Sequence, residues 1–178
     1  MIVMGYPGIG KSTYAKVDKS YAIDLESSLF PDKATYVDVA LDLEAQGYIV
    51  FVSCHDEVRD LLRDKADQAV QLAICYPSLH LKSQWDRRLS DRLEKDPSDK
   101  NMRAYQRFKD HFEEDMRNIN KSKKFERFTK LEIQDVHYRF YTLRAYKYPY
   151  GSECVRRLGL DYSNFYGRDT EEHTCRCS

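Results

Sequence analysis

The chain has 178 residues, with 29 basic side chains balanced by 29 acidic ones. That length suits one sizeable core rather than two full domains, and the balanced charge excludes a global field that would draw the protein to nucleic acid or a membrane surface. No run approaches the roughly 18 apolar residues of a membrane span. The first residues read as a strand rather than a signal peptide, so a cytoplasmic protein is expected, either a monomer or a homodimer.

Ile2, Val3 and Met4 form a short apolar run suited to a buried strand. Directly after it, Gly5, Gly10, Lys11 and Ser12 satisfy the G-x-x-x-x-G-K-[ST] pattern of a phosphate-binding P-loop. Pro7, Gly8 and Ile9 fill the loop, and Thr13 continues into a helix over residues 11–17. Glycines in such a loop let backbone N–H groups approach anionic oxygens. Lys11 would supply a point charge at the β- and γ-phosphates, and the Ser12 hydroxyl a ligand for Mg²⁺. The pattern therefore predicts ATP and Mg²⁺ as cofactors.

Residues 21–25 are a short apolar run closed by acidic and hydroxyl residues. Asp32 is placed to cap a helix running to Gln46, with Gly47 as its stop. Residues 48–54 form the clearest buried strand, since nearly all are apolar or β-branched. A short helix follows over 56–62, and residues 70–76 read as another strand, broken by Pro77. Ser78 is placed to cap a helix in which Leu81, Trp85, Leu89 and Leu93 recur every four residues. Pro97 ends that helix. Ser98 or Asp99 starts another, with Met102, Tyr105, Phe108, Phe112, Met116 and Ile119 on one core-facing stripe. Residues 125–133 form a last, weaker strand.

Alternating strands and helices predict a parallel sheet of about five strands with helices on both faces, the three-layer α/β arrangement of P-loop NTPases. Ligands on such sheets bind at the carboxyl ends of the strands. The loops 5–12, 24–28, 53–59 and 76–78 should therefore converge.

From about residue 136 the character changes. Residues 137–150 are dense in tyrosine and locally basic. They suit either tyrosines packing on the core or, less favoured, a stacking platform for single-stranded nucleic acid. Cys54 and Cys75 lie in apolar runs as reduced core thiols. The tail His173-x-Cys175-x-Cys177 lacks the paired spacing of a zinc site and reads as frayed, as do the last dozen residues. The organisation expected is a domain over 1–135, with a helical lid at about 78–95, and a tyrosine-rich extension over 136–178.

Three groups stand out for chemistry. Asp24 ends the second strand, followed by Glu26 and Ser27. A carboxylate there would hold Mg²⁺ through water or accept a proton from an attacking hydroxyl; the bland reading is a turn cap. Asp56 and Arg59 follow the strongest strand. They suit a second metal-organising carboxylate and a grip for an anionic acceptor, or else an N-cap and an exposed helix residue. Arg87, Arg88 and Arg92 share the Trp85 helix, with 88 and 92 on one face near Lys95. Guanidinium forks there would neutralise a transferring phosphoryl group and exclude water. The alternative is a solvated face paired with Asp86, Asp91 and Glu94.

With these residues assembled, the first 131 or so positions resemble small P-loop kinases of the nucleoside-monophosphate-kinase-like group, especially compact bacteriophage versions. The resemblance rests on Gly5 to Thr13, on Asp24-Leu-Glu-Ser-Ser28, on the run from Val50 to Arg59, and on Tyr76-Pro-Ser with Trp85, Arg88 and Arg92. It implies a five-stranded parallel sheet, Mg-ATP, an arginine-bearing lid, and an acceptor site between the second and third strands. Carried over, it makes Lys11 and Ser12 ATP and Mg²⁺ ligands, Asp24 a metal or acceptor residue, and Arg59 the acceptor-phosphate residue. Arg88 or Arg92 takes the lid role, and a phage-encoded member would work in the host cytoplasm. Two departures concern the acceptor: Ser53-Cys-His-Asp-Glu-Val-Arg59 replaces the run adenylate kinases carry after the third strand, and the lid is short. The expected activity is transfer of the γ-phosphoryl of ATP to a small nucleotide acceptor, a (deoxy)nucleoside monophosphate. The alternatives are a hydroxyl acceptor (a polynucleotide 5′-end, nucleoside or metabolite) and a nucleic-acid-stimulated ATPase.

Overall fold

The computed structural model describes residues 1–17 and 19–135. The tyrosine-rich stretch and the cysteine-bearing tail, 136–178, lie outside the described residues.

Three strands are buried along their whole length: β1 (Ile2–Gly5), β3 (Ile49–Val52) and β4 (Leu72–Pro77). Their continuous apolar sequences are those of strands covered on both faces. They form the middle of a five-stranded, all-parallel sheet ordered β2-β3-β1-β4-β5. The edges are β2 (Ala22–Asp24) and the largely exposed β5 (Thr129–Ile133). Pro77 does not break β4. It is the strand's last residue, in register with Ile133, and the next ladder bond comes from the Ser78 N–H to the Ile133 carbonyl at 2.8 Å. A proline costs little where the strand is ending anyway.

The helices are α1 (Lys11–Val17), α2 (Lys33–Ala45), α3 (Asp56–Lys65), α4 (Lys82–Lys95) and α5 (Asp99–Lys121). The Asp32 carboxylate caps α2 by accepting the Thr35 N–H at 2.7 Å. At the other end Gly47 takes φ +97°, its N–H bonding the Glu44 carbonyl and that of Tyr48 the Leu43 carbonyl. These paired bonds are a Schellman stop, and the left-handed residue they require explains the glycine. Ser78 is not the cap of α4. It heads a short 3-10 turn, Leu79–Leu81, and its hydroxyl makes no capping bond.

On α5 the apolar stripe is buried from Phe108 through Phe112, Met116 and Ile119, whereas Met102 is half exposed. In the first turn of α5 Asn101 is buried instead, donating to the Asp96 carbonyl and carboxylate, both at 2.8 Å. That bond pair closes the α4–α5 turn. Among the described residues no helix is long and apolar enough to cross a membrane.

Candidate functional site

The chain leaves β1 toward one sheet edge, to form β2, but leaves β3 and β4 toward the other. Adjacent strands whose connections diverge open a crevice at their carboxyl ends. The loop of residues 5–12 lies there, between the ends of β3 and β4.

Lys11 begins α1, and its side chain folds back along the loop so that Nζ donates to the Gly5 carbonyl at 2.8 Å. A Cβ on Gly5 would lie 2.6 Å from Lys11 Cδ and 2.9 Å from Ile9 Cγ2, so only glycine leaves the lysine stem its path. Gly8 has φ +80°, and a Cβ there would meet Leu89 Cδ2 at 3.0 Å and Trp85 Nε1 at 3.2 Å. Burial pushes the Lys11 pKa down, with the Asp24 carboxylate pulling it back and the charges of Lys100 and Arg92 adding to the fall. An ammonium in that position is stabilised by any anion brought into the loop.

Asp24, at the end of β2, accepts a hydrogen bond from the Ser12 hydroxyl. One hydroxyl and one carboxylate, both hard oxygen donors, thus meet beside Lys11. That is the donor set of Mg²⁺ held jointly with phosphate and water, and the glycine cradle fits a polyphosphate, so the residues suit Mg-ATP. Glu26 pairs with Lys100 at the start of α5, an ion pair from the loop after β2 to the α4–α5 hairpin. Ser27 opens a 3-10 turn, Ser27–Leu29, on the same side.

Helix α4 is seated on the loop. Trp85 is fully buried and its Nε1 donates to the Pro7 carbonyl at 2.8 Å. Arg88 stacks on the Trp85 ring at 4.5 Å and donates to the Gly8 carbonyl at 3.2 Å. Arg87, Arg88, Arg92 and Lys95 line a cavity of about 570 Å³ with Gln84, Asp91, Asp96 and Asn101. Of the solvated-face pairings expected for α4, Asp86 instead bonds across to α5, accepting from Tyr105 at 2.9 Å and Lys109 at 3.3 Å.

Arg59 is oriented differently from the acceptor grip expected of it. It is 3 % exposed and bonded to the carboxylates of Asp56 at 2.5 Å and Asp60 at 3.0 Å. Its guanidinium lies 5.2 Å from the centre of the Phe125 ring. Asp56 itself opens α3 and is mostly exposed. Sequence periodicity leaves the direction of a helical arginine open, since its long stem lets the head fold under the helix.

Several residues at the crevice carried little sequence signal. Tyr36 of α2 is fully buried, and its hydroxyl donates to the Leu25 carbonyl at 3.1 Å while accepting the Ser53 N–H at 2.9 Å. It ties together the loops that follow β2 and β3. From α5, Arg107 makes a two-pronged contact with Asp115, at 3.1 and 2.8 Å. Its charge acts on Cys54, His55 and Tyr6. Burial raises the Asp115 pKa, against the pull of Arg107. The Cys54 thiol is pushed up to about 11 by burial, partly offset by Lys11, which makes it an inert packing group rather than a nucleophile.

Family models, curated proteins and solved structures give no match to this chain.

Proposed function

We propose that the protein is an ATP-dependent phosphotransferase of the P-loop kinase type, moving the γ-phosphoryl group of Mg-ATP to a (deoxy)nucleoside monophosphate. The strand order supports the fold half of this reading. With right-handed crossovers, α1 lies on one face of the sheet and α2 and α3 on the other, the three-layer arrangement of P-loop NTPases. The observation that carries the functional half is the Ser12–Asp24 bond beside a glycine loop whose lysine is folded onto its own Gly5 carbonyl.

Gly5, Pro7, Gly8, Ile9, Gly10, Lys11, Ser12 and Thr13 form the cradle for the donor phosphates. Lys11 exchanges the Gly5 carbonyl for phosphate oxygen, and Ser12 and Asp24 hold the metal, directly or through water. The chemistry bound Mg-ATP supplies is a γ-phosphoryl group whose bond to the β,γ-bridging oxygen breaks as an acceptor oxygen bonds to phosphorus, leaving ADP. Arg88, already at the Gly8 carbonyl, and Arg92, one turn on, offset the charge of the transferring group and keep water out. Because Trp85 and Leu89 pin the first turns of α4, closure is carried by the Arg92 and Lys95 end. Glu26, Ser27 and Asp56 border the acceptor side.

The test is to incubate Mg-ATP with mononucleotides, nucleosides and 5′-hydroxyl oligonucleotides and score products. Transfer to a mononucleotide supports the reading. Transfer to a hydroxyl alone replaces it with the hydroxyl-kinase alternative, and ATP hydrolysis stimulated by single-stranded nucleic acid replaces it with an ATPase.

A further inference from the structure

We infer that Arg107, held in place by Asp115, grips a phosphate monoester on the acceptor. This deepens the phosphotransferase reading and rests on it. The first ground is position. Phe112 packs edge-on against Tyr6 at 6.1 Å, so α5 crosses the start of the P-loop, with Arg107 and Asp115 on the turns either side of that contact. Arg107 is near enough to the end of β3 for its charge to act on Cys54 and His55.

The second ground is how the guanidinium is used. Nε and one terminal nitrogen are committed to Asp115, whose side chain is 15 % exposed, while that of Arg107 is 48 % exposed. Asp115 thus fixes the plane of the fork from the buried side, and the second terminal nitrogen has no partner among the described residues. A fork aligned in advance loses little entropy on taking a dianionic ligand. Arg59 contrasts on every count, being buried, stacked on Phe125 and bonded to two carboxylates.

The third ground is the buried polar groups beside it. Tyr6 Oη and Ser53 Oγ are buried at the adjacent ends of β1 and β3, and Tyr6 Oη lies beside the Asp115 carboxylate. Tyr6 is 2 % exposed and Asp115 acts on its hydroxyl. A carboxylate, a tyrosine and an arginine thus cluster where α5 meets the start of the loop. A phosphate monoester is carried equally by a mononucleotide and by a 5′-phosphorylated oligonucleotide, and the test separates the two.

The experiment measures steady-state kinetics and equilibrium binding on the full chain, with Arg107→Gln, Arg107→Lys, Asp115→Asn and, as a control on the same helix, Arg103→Gln. Arg107→Gln should raise the acceptor KM about 10- to 100-fold, the loss of a charge-assisted bond pair, with the ATP KM unchanged. Arg107→Lys should recover part of that loss. Asp115→Asn, which removes a positioning residue, should raise the acceptor KM less while leaving kcat and the ATP KM alone; a merely structural role would shift all three. Arg103→Gln should change none.

Binding of each mononucleotide, and of a 5′-phosphorylated oligonucleotide, is measured by calorimetry with Mg-ADP present. If the wild type transfers nothing, the phosphotransferase reading falls, yet monophosphate binding lost in Arg107→Gln still supports the Arg107 site. An acceptor KM or affinity unchanged in folded Arg107→Gln and Arg107→Lys overturns it, as does a wild type that binds no phosphate monoester.

Discussion

The indole of Trp85 is bonded to the Pro7 carbonyl at 2.8 Å, which makes the helix after β4 and the glycine loop after β1 one packed unit. Trp85 is the chain's single tryptophan. Filling the loop with Mg-ATP should therefore change the tryptophan emission, and a titration read by fluorescence checks it. An unchanged spectrum at saturating nucleotide would contradict the contact or the binding. Trp85→Phe keeps most of the apolar volume but leaves the carbonyl without its donor. It should lose about 1–3 kcal/mol of stability by denaturant unfolding and weaken ATP binding.

Two glycines offer a paired comparison. Gly47→Ala forces a left-handed alanine at φ +97° with nothing within 4 Å, so it should cost about 1–2 kcal/mol and leave the ATP KM alone. Gly8→Ala carries a similar backbone cost and also drives a methyl toward Leu89 and Trp85. It should lose more stability than Gly47→Ala and raise the ATP KM as well. Thermal melts and initial rates on both variants decide the matter.

Burial lowers the Lys11 pKa below the ordinary lysine value of 10.5. The sign follows from which state holds the proton. Below its folded pKa the buried ammonium carries its full penalty; as pH rises toward 10.5 the unfolded chain holds more protons than the folded one, so this group's penalty fades. Phosphate restores the charge. ATP binding on the alkaline side should therefore take up protons and weaken at a lower pH than ordinary lysine titration would dictate. Calorimetry in buffers of different ionisation enthalpy reads the uptake, which Lys11→Met should abolish.

Asp24→Asn removes the carboxylate that accepts the Ser12 hydroxyl. Activity should fall about 10- to 100-fold, the range for residues that support a metal site, and recover in part as Mg²⁺ is raised. Lost turnover with an unchanged Mg²⁺ requirement and unchanged acceptor KM would instead make Asp24 a base for a hydroxyl acceptor.

Arg59→Ala should destabilise the fold by about 1–3 kcal/mol through lost packing on Phe125, and leave the acceptor KM unchanged. A raised KM at unchanged stability would return Arg59 to the acceptor role expected from its place in the sequence.

The sheet was legible because its central strands are continuous apolar runs, and the helix over 33–45 because Asp32 and Gly47 carry its caps. The glycine loop was legible because contiguous residues build it. What sequence could not show was the direction of long side chains and the partners of single polar groups. Arg59 and Arg107 are both helical arginines near acidic residues, yet one is buried under α3 and the other is half-exposed with its fork set on Asp115. Trp85 fits an apolar stripe at four-residue spacing, and that periodicity says nothing of the loop carbonyl it meets 78 residues away. The stripe on α5 does not extend to Met102, which is half exposed, because periodicity does not register where along a helix the buried contact begins.

The most direct test of the central claim follows the label from γ-³²P-ATP, with Mg²⁺, into a panel of ribo- and deoxynucleoside monophosphates, with Lys11→Met as the control. The account predicts labelled nucleoside diphosphate from at least one monophosphate, lost in the Lys11 variant. Label found solely in inorganic phosphate, or transfer that survives Lys11→Met, would contradict it.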